Sequence, residues 1–135
     1  SQHTDTGNYQ DVYLFHIKEI IKFASKVLIN HLNIKYMVKH IVMFKLKETL
    51  SKDEKLDVMN RFKAAIEALP ASISVIRKVF VGLNINEAEA WDICLESEFD
   101  SLDDVKFYAA HPDHVAAAGI LKDAKLDRAC VDYEC

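Results

Sequence analysis

The chain has 135 residues, of which 50% are hydrophobic and 28% charged, a composition typical of an ordinary globular domain. Its 17 Lys and Arg residues against 21 Asp and Glu residues give a net charge of −4, and no basic cluster is long enough to neutralise a run of phosphates. Nucleic acid is therefore not expected as a partner. The three glycines are too scattered for a dinucleotide-binding or phosphate-binding loop, so no nucleoside cofactor is indicated, and we expect no cofactor.

The cysteines indicate the compartment. Cys94, Cys130 and Cys135 are odd in number, have no C-x-x-C spacing and lie in a chain without a secretory hydrophobic segment. We therefore expect free thiols in a reducing environment and a cytoplasmic location.

Residues 1–36 form an extension that differs from the rest of the chain. Between Val12 and Leu32 apolar residues recur at helical spacing, which predicts one amphipathic helix. Four charges interrupt it and argue against a membrane span, namely Lys18, Glu19, Lys22 and Lys26. A helix lying on a membrane surface stays open as an alternative, but packing on the rest of the protein or on a partner subunit is favoured.

Residues 37–135 are predicted to form one domain. The segment "VKHIVMFKLK", residues 38–47, alternates as a strand does, and a capping box at Ser51 and Glu54 starts a helix that Pro70 stops. Two further strands are predicted in residues 75–84 and 91–99, "VIRKVFVGLN" and "WDICLESEF".

A second helix follows, capped by Ser101 and interrupted by Pro112, because proline lacks the amide hydrogen and clashes with the preceding turn. We expect this helix to continue to Leu126 and the chain to end with the strand "RACVDYE", residues 128–134.

The order β-α-β-β-α-β predicts an α+β, ferredoxin-like domain, in which an antiparallel sheet carries its helices on one face. The opposite face would expose apolar side chains if Ile41, Met43, Cys94 and Cys130 point that way. A second copy that packs sheet to sheet would cover them, so a homodimer is expected.

Four segments resemble the stress-responsive A/B barrel family, known as Dabb. They are "VKHIVMFKLK", "WDICLESEFDS", "FYAAHPDH" and "CVDYE", and the similarity covers residues 37–135. The resemblance implies a ferredoxin-like monomer that pairs into a dimeric α/β barrel, with a pocket between each sheet and its helices.

Plant members of this family are similar to olivetolic acid cyclase, which closes a linear polyketide thioester by a cofactor-free aldol reaction. The resemblance implies that Tyr108 and His114, in Y-x-x-H-P-x-H, are the catalytic pair and that His40 lines the pocket. Ile93 stands where those plant enzymes carry a histidine. We expect the substrate-binding residues to be His40, Phe44, Ile93, Phe107 and His111.

The chemistry of the two catalytic candidates fits these roles. A histidine titrating at about 6.5 can remove a proton next to a carbonyl, and a phenol with a pKa of about 10 stays protonated and can donate to the resulting enolate. His114 is six positions after Tyr108, a rotation of 600° on an unbroken helix that would put the two side chains more than a right angle apart. The bend at Pro112 is what could bring them together.

Each of these residues also has a structural interpretation. Tyr108 and His40 can be core residues with satisfied polar atoms, and His111 can hydrogen-bond a carbonyl that the missing proline amide leaves free. His111, His114 and His40 could in principle bind zinc, but the H-x-x-H spacing is not a standard helical pair and no metal site is expected.

The sequence thus favours a homodimer that binds a small apolar carbonyl compound, with cyclase-like or lyase-like acid/base activity if it is an enzyme. The alternative is a non-catalytic stress-related or structural dimer. A cofactor-free monooxygenase is a third option.

Overall fold

The structure is a computed structural model that describes residues 7–32 and 35–135. The chain divides into two compact units between Lys35 and Tyr36. The first contains α1, Gly7–His31, which begins five residues before the predicted Val12. Large apolar side chains along α1 are exposed, including Phe15, Ile20 and Phe23. Among the described residues, no helix is long and apolar enough to cross a membrane.

The second unit carries the predicted alternation of strands and helices. Its elements are β1 Val38–Leu46, α2 Lys52–Glu67, β2 Lys78–Leu83, β3 Ile93–Phe99, α3 Leu102–Ala110, α4 Pro112–Gly119 and β4 Lys125–Glu134. The four strands pair antiparallel in the order β2-β3-β1-β4. This is the ferredoxin-like α+β arrangement, and the prediction is confirmed.

The local signals in the sequence act as expected in α2. The Ser51 hydroxyl accepts a hydrogen bond from the Glu54 amide at 3.1 Å, and the Glu54 carboxylate accepts one from the Ser51 amide at 3.3 Å. This reciprocal cap satisfies two amides that the first turn leaves without partners. Pro70 lies in a 3₁₀ turn, Leu69–Ala71, directly after the helix.

One face of the sheet packs against α2, α3 and α4. Every second residue of β1 is buried, from Val38 to Leu46, and so are the inward residues of β3. The helices contribute Val58, Phe62, Ile66, Val105, Tyr108 and Ala117 to the same core. The core therefore lies between the sheet and its helices, where it fixes the positions of the His40 and Tyr108 side chains.

The strand register corrects the prediction for Cys130. Cys130 pairs with Val42, which is buried in the core, and directly paired residues of an antiparallel sheet point to the same face. Cys130 is therefore on the helix side of the sheet. The open face carries Ile41, Met43 and Cys94 as predicted, because Ile41 pairs with Glu96 and Met43 pairs with Cys94.

The predicted continuation of the second helix to Leu126 is wrong. The helix ends at Gly119, turns follow, and β4 begins at Lys125. Leu126 therefore belongs to a strand. Pairing with β1, which extends from Val38 to Leu46, outweighs the helical propensity of the residues after Gly119.

Candidate functional site

The break between α3 and α4 determines the geometry of the site. His111 is in an extended conformation, with φ −62° and ψ 134°, and separates the two helices. The His111 amide donates to the Tyr108 carbonyl at 3.1 Å, and the Asp113 amide donates to Nδ1 of His111 at 3.1 Å. In an unbroken helix the Asp113 amide would bond the Ala109 carbonyl, so the break leaves that carbonyl available.

His114 takes up the available carbonyl. Its Nδ1 lies 3.0 Å from the Ala109 carbonyl oxygen. A carbonyl only accepts hydrogen bonds, so Nδ1 of His114 carries the hydrogen and Nε2 of the neutral ring carries the lone pair. The hydrogen bond thus fixes the tautomer that leaves Nε2 free to act as a base.

The same break places His114 against Tyr108. The centroids of the two rings are 4.3 Å apart, with the ring planes tilted by 50°. Tyr108 also contacts Phe99, at 5.1 Å between centroids, and His40, at 6.2 Å. The structure therefore brings His40, Tyr108 and His114 together around one aromatic cluster.

The hydroxyl of Tyr108 is a buried polar group within this cluster. Tyr108 is fully buried, and its hydroxyl has no hydrogen-bond partner among the described residues. Burial raises the pKa of Tyr108 well above its ordinary value of 10. The phenol consequently stays protonated and keeps a hydrogen-bond donor to offer.

His114 has the opposite electrostatic character. Burial lowers the pKa of His114 from its ordinary value of 6.5, and the nearby His40 and Arg128 lower it further, while the hydrogen bond to Ala109 opposes them. The neutral imidazole is therefore the main form at pH 7. A protonated tyrosine next to a neutral histidine is an acid and base pair.

His40 is held from the neighbouring strand. Its Nδ1 is 2.5 Å from Oδ1 of Asp132 and 3.6 Å from Sγ of Cys130. The His40 side chain is buried, while that of Asp132 is 32% exposed. The carboxylate fixes the orientation of the His40 ring, because residue 40 pairs directly with residue 132 in the sheet.

Two of the other predicted pocket residues lie farther along the sheet from His40. Phe44 and Ile93 are buried in the core and pair with each other, with Phe44 packed against Phe62 at 5.5 Å. Phe44 is four residues from His40, or about 13 Å along an extended strand. Phe107 is 57% exposed, and His111 caps α4.

The sequence did not place Phe99, Cys130 and Asp132 at the site, although they contact His40 or Tyr108 in the structure. The alternation in β4 puts Cys130 and Asp132 on one face of the sheet, and this could have been predicted from the sequence. The register that places Asp132 opposite His40 could not have been predicted in this way, because it depends on which strands are neighbours.

A family model connects this geometry with known proteins. The model of the stress-responsive A/B barrel domain, Dabb, matches residues 38–135, which is most of the chain. The chain belongs to the Dabb family. The resemblance seen in the sequence is thereby confirmed.

Two similar proteins illustrate the relationship. A dimeric protein of unknown function with a ferredoxin-like fold from Bacteroides fragilis is 68% identical; the match covers 73% of this chain and 96% of that one, with a TM-score of 0.73. A stress-response A/B barrel domain-containing protein of Arabidopsis thaliana is 32% identical over 82 residues, which are 58% of this chain but only 29% of the plant protein.

The fold also occurs in an enzyme. Hydroxynitrile lyase from Passiflora edulis is 20% identical, with a TM-score of 0.58 over 73% of this chain and 93% of that one. At this level of identity the similarity concerns the fold.

Proposed function

We propose that this Dabb protein is a homodimer that binds a small, largely apolar carbonyl compound beside His40, Tyr108 and His114 and performs cofactor-free acid/base chemistry on it. One observation carries the proposal: the fully buried Tyr108 hydroxyl has no partner among the described residues. A buried hydroxyl without a partner costs about 1 to 3 kcal/mol, so it is unusual unless another molecule supplies the acceptor.

A carbonyl oxygen is the acceptor that suits this donor. The surrounding rings of Phe99 and His40 present apolar faces and edges at 5.1 and 6.2 Å from the tyrosine ring. A polar group that converges with aromatic walls is typical of small-molecule sites. The compound is therefore expected to be apolar apart from its carbonyl group.

The base in the proposed reaction is Nε2 of His114. It takes a proton from the carbon next to the bound carbonyl; the C–H electron pair forms the enolate, and the proton remains on Nε2. The Tyr108 hydroxyl donates to the enolate oxygen, where the negative charge develops. The enolate can then attack a second carbonyl, as in a cyclase, or regain the proton.

The dimer is supported by the exposed surface of the sheet. Phe80 pairs with Glu96, and Val131 pairs with Ile41, so these side chains share the open face. Phe80 is 50% exposed and Val131 is 54% exposed. Burying such side chains against a second copy is favourable, and the related Bacteroides fragilis protein is dimeric.

The test is exchange of the α-protons of acetophenone and 2-heptanone with D₂O, followed by NMR. The wild type is expected to accelerate the exchange. His114→Asn keeps an amide near the Nδ1 position for the Ala109 carbonyl but has no base, and Tyr108→Phe has no donor, so each should lower the rate at least about 100-fold.

Ser101→Asn is the matched control. Ser101 caps α3, and asparagine is itself a good helix cap, so the exchange rate should stay near that of the wild type. Binding of the ketones without exchange would favour a non-catalytic binding protein. The absence of both would overturn the proposal and favour a structural dimer.

A further inference from the structure

Three metal-binding atoms converge where β1 meets β4. They are Nδ1 of His40, Sγ of Cys130 and a carboxylate oxygen of Asp132, and all lie within 4.8 Å of one another. Each is a different type of donor and comes from a different side chain. The three donors do not include the tyrosine and histidine of α3 and α4, although the His40 ring also contacts Tyr108.

The strand register produces this arrangement. Cys130 and Asp132 are two residues apart in β4, so both point to the helix side of the sheet. His40 pairs directly with Asp132 from the adjacent strand. Two paired strands are a rigid support, and they hold donor atoms in place better than a loop does.

The separation between the His40 nitrogen and the Cys130 sulfur agrees closely with tetrahedral coordination of a zinc ion. With zinc bonds of about 2.1 Å to nitrogen and 2.3 Å to sulfur, tetrahedral geometry places the two donors about 3.6 Å apart. The observed separation between Nδ1 of His40 and Sγ of Cys130 is 3.6 Å.

The separation between the His40 nitrogen and the Asp132 oxygen would have to increase slightly for both atoms to bind one ion. Nδ1 of His40 and Oδ1 of Asp132 are 2.5 Å apart as a hydrogen-bonded pair and would have to separate to about 3.3 Å around zinc. The Asp132 side chain is 32% exposed and sits in an edge strand, so its carboxylate can rotate by this amount.

We infer that His40, Cys130 and Asp132 form a binding site for a transition-metal dication of the zinc class. One thiolate, one imidazole and one carboxylate together suit zinc and cobalt, whereas magnesium and calcium prefer sites made of oxygen alone. Three protein donors leave a fourth position open. The exposed thiol of Cys130 gives the ion access from solvent.

The experiment is a titration of the reduced, chelator-treated full chain with Co²⁺, followed by displacement with Zn²⁺ against a chelating dye. Tetrahedral cobalt bound to a thiolate gives a charge-transfer band in the near ultraviolet and visible d–d bands. We expect one ion per chain and both signals.

The variants identify the donors. Cys130→Ser should abolish the charge-transfer band, and Asp132→Asn should weaken zinc binding at least about 100-fold, since even groups that only support a ligand change affinity 10-fold to 100-fold. Cys94→Ser and Cys135→Ser are the matched controls and should bind as the wild type does. Circular dichroism of each variant verifies the fold.

A charge-transfer band that survives in Cys130→Ser, or its absence in the wild type, would overturn the site. So would equal zinc affinity in the wild type and Asp132→Asn. Tyr108 and His114 are not among the donors, so failure of zinc binding would leave the proposed acid/base function standing.

Discussion

At the scale of single residues, the Tyr108 hydroxyl is the atom on which the proposed function depends. Stability alone would favour phenylalanine at this position, because a fully buried hydroxyl without a partner is unfavourable. The nearby His114 ring has its tautomer fixed by the Ala109 carbonyl. A donor and a base that lie side by side in an aromatic cluster are consistent with binding and enolising a carbonyl compound.

Tyr108→Phe should separate stability from function. Removal of the unpaired hydroxyl is expected to raise the free energy of unfolding by about 1 to 3 kcal/mol, while ketone exchange falls. Urea denaturation and the NMR exchange assay measure the two effects. A purely structural tyrosine would show the first effect, or neither, but no change in exchange.

The pH profile of exchange should follow the two shifted pKa values. His114 must be neutral to act, and its pKa is lowered, so the rate should fall only as the pH drops below 6.5. Tyr108 must be protonated, and its pKa is raised, so no decline is expected up to pH 10. A midpoint at or above 6.5, or a loss of rate before pH 10, would contradict these assignments.

At the scale of elements, the break at Pro112 places the pair. Alanine at this position restores an amide that can bond the Tyr108 carbonyl and join α3 to α4. On a continuous helix the Tyr108 and His114 side chains point apart. Pro112→Ala is therefore expected to reduce exchange about 100-fold, with little loss of stability.

Ser51→Ala provides the comparison for Pro112→Ala. It removes the side-chain cap of α2, away from the site, and should lower the free energy of unfolding by about 1 kcal/mol. Its exchange rate should equal that of the wild type. If Ser51→Ala impaired exchange as much as Pro112→Ala does, the effect would be one of general stability.

The elements themselves were largely predictable, because their signals are local. The alternation in residues 38–47, the Ser51 and Glu54 cap and the stop at Pro70 each depend on neighbouring residues. The end of α4 was missed because strand pairing, which is a tertiary interaction, begins β4 at Lys125. The partnership of His40 with Asp132 and the face of Cys130 were missed because register links residues about 90 positions apart.

At the scale of the whole molecule, the open face of the sheet should form the dimer. Ile41→Glu places a carboxylate in the middle of this face beside Glu96, its partner in β3. Burying two like charges is costly, so the variant should be monomeric by sedimentation at concentrations where the wild type is dimeric.

Leu56→Glu is the control for the dimer. Leu56 is 51% exposed on α2, away from the open face, so this variant should remain dimeric. A dimeric Ile41→Glu, or a monomeric wild type, would contradict the proposed interface.

The most direct test of the central claim is the infrared spectrum of acetophenone labelled with ¹³C at its carbonyl and bound to the protein. Donation by the Tyr108 hydroxyl should lower the carbonyl stretching frequency in the wild type relative to Tyr108→Phe. Equal frequencies in the two proteins, or no bound acetophenone in either, would contradict the claim that this buried hydroxyl holds a carbonyl group.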